Sequence, residues 1–134
     1  MKRAYVDTSA LVALHFREKR HAEVSRLLRA HDQLLSVGLV TAEMLATLQR
    51  EGRRLDEADA LLRRLTLYSP DGALRAECEE ALAAGPLRGA DLWHLAAALS
   101  LAGKRQRAAL PFCSLDQAQR NAARALGFPL IPAA

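Results

Sequence analysis

Short apolar runs alternate along this chain with longer segments in which apolar residues recur every three or four positions. The short runs predict strands, and the longer segments predict amphipathic helices. Strands that alternate with helices favour an α/β fold in which parallel strands are joined by crossover helices. In an open sheet of this kind, ligands bind beyond the carboxyl ends of the strands.

The chain has 134 residues, a length that suits one domain spanning residues 1–134. We expect strands at 2–6, 33–37, 66–69, 108–115 and 128–131, and helices at 8–15, 20–30, 41–51, 56–65, 73–84, 90–102 and 117–126. Thr41 and Asp56 are the expected N-caps of their helices, and Gly103 follows a helix end. Pro111 predicts that its strand lies at a sheet edge or contains a bulge.

Composition excludes some classes of protein. Lys and Arg number 19 against 15 Asp and Glu, and the net charge of +4 mildly favours a polyanionic partner. Aromatic residues make up only 4% of the chain, too few for the stacking platform of a single-strand binding protein. Cys78 and Cys113 form no CxxC pair, and Cys113 lies in an apolar run, so we expect a buried free thiol rather than a disulfide framework.

The N-terminus predicts the location of the protein. Met1, Lys2 and Arg3 lead directly into the first strand, without the apolar stretch of a signal peptide. No apolar run approaches the roughly 18 residues that span a membrane. We therefore expect a cytoplasmic protein that is not bound to a membrane.

Four acidic residues occupy turns and helix starts. Asp7 closes the apolar run 4–6, Asp116 closes the run 110–115, and Glu43 and Asp91 lie in the first turns of two predicted helices. Each alone suits a helix N-terminus, where Asp is a preferred cap and negative charge is stabilised by the helix dipole. Capping would accept Ser, Thr or Asn equally well, however, and all four positions are acidic.

A cation would explain the four acids together. Two carboxylates about 4 Å apart repel each other by roughly 4 kcal/mol at an intermediate dielectric, and burial raises the pKa of an unpaired carboxyl group. A divalent cation relieves both costs, and oxygen ligands select Mg²⁺ or Mn²⁺. The predicted metal ligands and catalytic residues are therefore Asp7, Glu43, Asp91 and Asp116.

His94 lies three residues after Asp91, on a neighbouring part of the helix surface. It suits a metal ligand, a general acid or a packed structural residue between Trp93 and Leu95, and we favour the structural role. The other histidines have no metal-ligand spacing and are expected at the surface; they are His15, His21 and His31.

Basic residues cluster in three places, each of which suits either a solvated helix end or contact with the phosphates of a nucleic acid. The clusters are Arg17, Lys19 and Arg20; Arg50, Arg53 and Arg54; and Lys104, Arg105 and Arg107. We favour the first two as nucleic-acid contacts, because they follow the helices that begin near Asp7 and Glu43.

Two segments contain more apolar residues than one buried face needs. Most of these residues are expected in the core, and a groove for a partner is the alternative for the rest. They are Leu11, Val12, Leu14, Phe16, Leu61, Leu62 and Leu65.

Four motifs, in order and spacing, resemble those of the PIN-domain ribonucleases. Asp7-Thr8-Ser9-Ala10-Leu11 follows the first strand, and Thr41-Ala42-Glu43-Met44-Leu45 lies on a helix. The segment 88–98 (RGADLWHLAAA) resembles the third motif. The segment 112–116 (FCSLD), followed by an amphipathic helix and a Gly-Phe turn, resembles the fourth. The similarity spans essentially the whole chain, and at this length the chain most resembles the VapC-type toxins of toxin–antitoxin pairs.

The resemblance implies a three-layer α/β/α fold and hydrolysis of RNA phosphodiester bonds with Mg²⁺ or Mn²⁺. Asp7, Asp91 and Asp116 would bind one or two ions, and Glu43 would hold a metal-bound water. Thr8, Ser9 and Ser114 would supply supporting hydroxyl groups, with Ser114 standing where Thr is often found. The resemblance also implies a homodimer, and an antitoxin that lays a helix and an extended tail across the apolar segments described above.

Two other functions suit an acidic Mg²⁺ pocket. One is a receiver or phosphatase domain, but Asp7-Thr8-Ser9 lacks the second Asp of an aspartyl phosphatase, and the paired acids and Lys of a receiver are not visible. The other is a non-catalytic PIN-like interaction module that retains the acids for stability. The sequence leaves the RNA target open among tRNA, rRNA and mRNA, because target choice depends on surface shape.

Overall fold

The structure, a computed structural model, describes residues 1–133. Within them, five parallel strands form one sheet. The strands are β1 (Arg3–Val6), β2 (Gln33–Val37), β3 (Leu65–Tyr68), β4 (Phe112–Cys113) and β5 (Leu130–Ile131). The helices are α1 (Thr8–Phe16), α2 (His21–Arg29), α3 (Leu39–Arg50), α4 (Asp59–Arg63), α5 (Arg75–Ala84), α6 (Gly89–Ala102) and α7 (Gln117–Ala125), with 3-10 turns at Leu55–Ala58 and Arg107–Ala109.

Side chains that alternate along the strands divide the core into two layers. Tyr5 packs on one face of the sheet with Leu95 of α6. Its neighbours Ala4 and Val6 pack on the other face with Leu11 of α1. Because successive residues of a strand point to opposite faces, a strand covered by helices on both sides needs a continuous apolar run. The predicted three-layer α/β/α fold is confirmed.

The strands lie in the order β3-β2-β1-β4-β5. The chain first adds β2 and β3 on one side of β1 and then crosses to add β4 and β5 on the other side, so the switch point lies between β1 and β4. In a doubly wound sheet, the connections on either side of such a switch point leave in opposite directions and open a crevice at the carboxyl ends of the two strands. Asp7 follows β1, and its N–H donates to the carbonyl oxygen of Cys113 at the end of β4, at 3.1 Å. The fold therefore places Asp7 at the position where ligands bind in this class of sheet.

The two predicted N-caps, Thr41 and Asp56, are wrong. α3 begins at Leu39 rather than Thr41, and its N-cap is Gly38, which has no side chain to mark the start. The predicted helix 56–65 is divided into a 3-10 turn and α4, and residue 65 belongs to β3. Asp56 does not cap it, because the N-cap is Arg54, whose guanidinium pairs with the Asp56 carboxylate at 2.7 Å.

The predicted strand 108–115 is wrong in length and in place. Only Phe112–Cys113 forms β4, and it lies between β1 and β5 rather than at an edge. Pro111 fits because it precedes the strand and contributes its carbonyl oxygen, which accepts from the Tyr5 N–H at 2.9 Å. Its lack of an N–H does not prevent the two residues that follow from pairing on both sides.

The cysteines lie where the sequence predicts, and so do the seven extra apolar residues of the two segments described above, which we call the apolar surplus. Cys113 is buried, and both Cys113 and Cys78 are free thiols. Leu11 is buried, and the other six residues of the surplus are partly buried against the same core layer: Val12, Leu14, Phe16, Leu61, Leu62 and Leu65. Within residues 1–133, no helix combines the length and the apolar character that crossing a bilayer requires.

Candidate active site

Asp7 lies at the carboxyl end of β1 and is the N-cap of α1. It is 2% exposed. Its Oδ1 accepts hydrogen bonds from Ser9 Oγ at 2.7 Å and from the Ala10 N–H at 3.2 Å, and its Oδ2 accepts from Ser114 Oγ at 2.7 Å. Burial raises the pKa of Asp7 from 3.8 to about 6, because these hydrogen bonds and nearby His94 oppose the effect of burial only in part.

Asp116 follows β4 and is the N-cap of α7. Its Oδ2 accepts from the Gln119 N–H at 2.9 Å, so the capping role suggested for both Asp7 and Asp116 is confirmed. Ser114 connects these two acids, because its buried hydroxyl donates to Asp7 Oδ2 and accepts from the Asp116 N–H at 3.1 Å. One side chain therefore ties the end of β1 to the start of α7.

Gln119 extends this network to α6. It is fully buried, its Nε2 donates to the Asp91 carbonyl oxygen at 3.0 Å, and the Ser114 hydroxyl lies 3.2 Å from its Oε1. The sequence did not single out this residue, because no pattern distinguishes it from the exposed Gln117 on the same helix. Gln119 thus joins α7, which Asp116 caps, to α6, whose first turn carries Asp91.

Glu43 lies in the second turn of α3 rather than the first, because the helix begins at Leu39. A position near the helix dipole therefore does not explain it. Its Oε1 accepts hydrogen bonds from Thr8 Oγ1 at 2.6 Å and from His94 Nε2 at 2.9 Å. The hydrogen bond from His94 is the main reason that the pKa of Glu43 falls below its ordinary value. The local structure thus favours an ionised Glu43.

His94 is 1% exposed and uses both of its ring nitrogens. Nδ1 lies 2.8 Å from the Tyr5 hydroxyl. A carboxylate can only accept, so Nε2 carries the proton that is donated to Glu43, while Nδ1 forms its hydrogen bond with the Tyr5 hydroxyl. This geometry is that of a packed, hydrogen-bonded residue, the role favoured from the sequence, and it leaves neither nitrogen free to ligate a metal.

Asp91 lies in the first turn of α6 but does not cap it, since the N-cap is Arg88. Burial raises the pKa of Asp91, and repulsion from Asp116 and Glu43 raises it further. Acids from α3, α6 and the β4–α7 turn therefore lie within electrostatic range of one another.

All four acids line one cleft of about 460 Å³ at the switch point. The predicted hydroxyl residues Thr8 and Ser9 also line it, while Ser114 is buried and contacts Asp7. Glu18 and Thr47 complete the walls and were missed, because neither belongs to a motif. The predicted gathering of acids at one edge of the sheet is observed.

No three acidic, histidine or cysteine side chains within residues 1–133 have the spacing of a preformed metal site. The carboxylate oxygens are instead held by the protein: those of Asp7 by two serines, one of Asp116 by α7, and one of Glu43 by a threonine and a histidine. The donor chemistry nevertheless fits a hard divalent cation, which takes carboxylate oxygens. Burial raises the pKa values of Asp7 and Asp91, and repulsion between acids raises that of Asp91 further. A bound cation would offset the cost of burying these charges and would reduce the repulsion.

The predicted basic clusters differ in how much of their charge is neutralised. Arg50 lines the acidic cleft. Arg17 and Lys19 are exposed and make no ion pair within the described residues. The remaining arginines of the first two clusters have acidic partners at 2.9, 2.8 and 2.7 Å: Arg20 with Glu23, Arg53 with Glu57 and Arg54 with Asp56.

The surface position predicted for the other histidines is wrong for His15. Its side chain is only 16% exposed, and Nε2 lies 2.7 Å from Glu57 Oε1. Glu57 is 42 positions away in the sequence, so no local pattern could indicate this pair. His21 and His31 are also partly buried.

Comparison with known sequences agrees with this geometry. The sequence profile of the PIN domain family matches residues 4–125. The chain belongs to the PIN domain family, whose members are generally nucleases. Comparison with curated proteins finds no match.

A solved structure of VapBC-1 from nontypeable Haemophilus influenzae contains a chain of the same fold. The TM-score is 0.65 at 14% sequence identity, and the match covers 94% of this chain and 96% of that chain. At this identity the likeness concerns the fold alone. Family and fold together favour a PIN domain over the receiver or phosphatase alternative.

Proposed function

We propose that this protein is a divalent-metal-dependent endoribonuclease and the toxin of a toxin–antitoxin pair. The observation that carries the proposal is the single cleft in which carboxylates from four separate elements meet. Family membership supports a nuclease, and the name of the structural neighbour supports a toxin–antitoxin pair. The single domain over residues 1–134 and the cytoplasmic location stay predictions.

Asp7, Asp91 and Asp116, together with Glu43, would hold Mg²⁺ or Mn²⁺. When bound, such a cation activates water for attack and offsets the negative charge that develops on the phosphate. The number of ions stays open between one and two.

Hydrogen bonds of the chain itself orient the acids. Ser9 and Ser114 hold the two oxygens of Asp7, and Thr8 and His94 hold Oε1 of Glu43. The hydrogen bond from His94 lowers the pKa of Glu43, so this carboxylate is ionised and available to a bound cation or to the water that the cation holds. Rigid orientation of this kind keeps the cost of reorganisation low during the reaction.

RNA is the proposed substrate, and the predicted basic residues are its proposed phosphate contacts. Arg50 has the strongest support because it lines the cleft. Arg17 and Lys19 have no ion pair within residues 1–133, whereas Arg20, Arg53 and Arg54 are partly neutralised by their acidic partners. The acidic cleft would repel a polyanion, so these flanking cations must supply the attraction.

An antitoxin and a second copy of the chain are the proposed protein partners. Both follow from the resemblance to VapC-type toxins, and the neighbour's name supports only the antitoxin. The apolar surplus gives limited support to a groove, because it leaves only a small pit lined by residues such as Leu14, Leu61 and Leu65.

Cleavage of RNA by the purified protein tests the proposal. We expect Mg²⁺ or Mn²⁺ to support cleavage, EDTA to stop it, and Asp7→Asn or Asp91→Asn to abolish it, because each removes one charged ligand and little volume. Asp71→Asn is the matched control, since the same change is made in an exposed acid between β3 and α5. Intact RNA after incubation with wild-type protein and metal would refute the proposal, and so would unchanged cleavage by Asp7→Asn.

A further inference from the structure

Tyr5 is a buried polar side chain to which the proposed chemistry gives no role. It lies in β1, is fully buried, and pairs with Leu35 of β2 on one side and with Phe112 of β4 on the other. As a core residue of a strand, Phe would fill this place equally well. A buried hydroxyl group that lacks a partner costs roughly 1–3 kcal/mol, so the phenol of Tyr5 requires a polar neighbour.

The polar neighbour of the Tyr5 hydroxyl group is His94. The hydroxyl oxygen lies 2.8 Å from Nδ1 of the His94 ring, and the two rings meet edge to face with their centroids 5.8 Å apart. Burial raises the pKa of Tyr5 well above its ordinary value, so the group stays a neutral hydroxyl. Both side chains are buried, and a hydrogen bond in such surroundings is stronger than one that competes with water.

The Tyr5 ring is itself held in place. It stacks on the Phe112 ring, with the centroids 5.3 Å apart and the planes 8° from parallel. The Tyr5 N–H donates to the Pro111 carbonyl oxygen at 2.9 Å, and β1 has a neighbouring strand on each side. The hydroxyl group therefore gives the His94 ring a fixed point of attachment.

Tyr5, His94 and Glu43 form a chain of hydrogen bonds that runs from the core to the cleft. Nδ1 of His94 contacts Tyr5 of β1, and Nε2 donates to Oε1 of Glu43 on α3 at 2.9 Å. Because each nitrogen has a partner, the ring cannot flip without the loss of both hydrogen bonds. A partner at the second nitrogen of a histidine is what fixes the orientation of its ring.

We infer that Tyr5 is a positioning residue of the site: its hydroxyl group fixes the orientation of the His94 ring, and this ring orients the Glu43 carboxylate. The inference rests on the proposed function and adds to it a residue that does not line the cleft. Thr8 also donates to Glu43 Oε1, at 2.6 Å, so the loss of the Tyr5 hydroxyl group should weaken the orientation of Glu43 rather than abolish it.

A double-mutant cycle on RNA cleavage tests the inference. Tyr5→Phe keeps the stacked ring, and it should lower kcat by roughly 3- to 10-fold with little change in KM, because it acts on Glu43 and not on RNA binding. In the His94→Ala background the same change should alter kcat by less than about twofold, because no ring is left to position. Tyr68→Phe is the matched control, since the Tyr68 hydroxyl lies 2.9 Å from Ser100 Oγ, near the other end of α6 from the acids.

Nuclear magnetic resonance of the ring nitrogens examines the same contact without cleavage. In the ¹⁵N-labelled full chain, the two ring-nitrogen signals of His94 are assigned by their disappearance in His94→Ala. Tyr5→Phe should shift the Nδ1 signal of His94 and leave the signals of the other histidines in place, and Tyr68→Phe should leave all of these signals in place. Circular dichroism checks that each variant folds.

Several outcomes would overturn the inference. They are an unchanged Nδ1 signal or a wild-type kcat in folded Tyr5→Phe, and an equal loss of kcat from Tyr5→Phe whether or not His94 is present. These results would leave the nuclease proposal standing. A wild-type protein that cuts no RNA would refute that proposal instead, and the nitrogen signals would still decide whether Tyr5 holds the His94 ring.

Discussion

Asp7 has a structural role and a proposed chemical role in the same carboxylate. Its Oδ1 caps α1, and the side chain also lines the cleft beside three other acids. From sequence, capping and metal binding explain this residue equally well. Burial favours the second role, because a cap does not require a carboxylate that is 2% exposed and has a raised pKa.

We predict that Asp7→Asn stabilises the metal-free protein at neutral pH. The pKa of Asp7 is about 6 in the folded protein against 3.8 ordinarily, so the folded state holds more protons between these values. The free energy of unfolding therefore falls as pH rises through this window, by roughly 3 kcal/mol in total. Asn removes this cost while it still caps the helix, and its amide can donate to Ser114 Oγ, whose proton can turn to Gln119 Oε1 at 3.2 Å.

Urea unfolding in EDTA at several pH values between about 4 and 7 measures this effect. The variant and the wild type should be about equally stable at the acidic end, and the variant should become more stable by roughly 1–3 kcal/mol at neutral pH. A difference that does not change with pH would show that the buried charge of Asp7 is not what costs stability.

His94 is predicted to position Glu43 rather than to react. His94→Ala removes the hydrogen bond to Glu43 Oε1, so kcat for RNA cleavage should fall by roughly 10- to 100-fold while KM changes little. His94→Gln keeps an amide donor and should recover part of the lost kcat. Circular dichroism checks that both variants fold, and a wild-type kcat in folded His94→Ala would rule out the positioning role.

At the scale of elements, the sequence predicts best the bounds of those helices and strands whose ends are marked by particular residues. β2 has the predicted bounds, Gln33–Val37, because Asp32 precedes it and Gly38 breaks it, and α6 differs by one residue because Gly103 stops it. The apolar residues before β4 resemble a strand, yet they include a 3-10 turn. The start of α3 was misplaced because Thr41 has the side chain of an N-cap and the actual cap, Gly38, has none.

The residues of the site also differ in whether the local sequence could predict them. The four acids could be predicted to meet because each lies in a short motif at the end of a strand or on a helix. The side chains that hold them could not, because their contacts are long-range. His94 meets Glu43 across 51 positions and Tyr5 across 89, and Gln119 reaches the backbone of Asp91 across 28.

Gln119 supplies a test at this scale, since it ties α7 to α6. Gln119→Leu removes the hydrogen bonds to the Asp91 carbonyl and the Ser114 hydroxyl, and we predict a loss of roughly 1–3 kcal/mol in the free energy of unfolding. Gln117→Leu, at an exposed position of the same helix, should change stability by no more than about 0.5 kcal/mol. Equal effects of the two variants in urea unfolding would mean that the buried amide does not join the helices.

For the whole molecule, the order of the strands decides which acids meet. Alternating strands and helices predict a parallel sheet, but they do not predict that β1 and β4 are neighbours. That pairing brings together Asp7 and Ser114, which are 107 positions apart, and it puts the reversal of strand order at the end of β1. The acids that follow β1 and β4 therefore face one crevice, which the acids on α3 and α6 also line.

The central claim is that the acids of this cleft together bind a divalent cation. Titration of Mn²⁺ into the metal-free full chain, followed by calorimetry, measures this directly. We predict saturable binding to the wild type, affinity weakened at least roughly tenfold in Asp7→Asn and in Asp91→Asn, and unchanged affinity in the exposed control Asp71→Asn. No saturable binding to the wild type, or equal affinity in Asp91→Asn, would contradict the account.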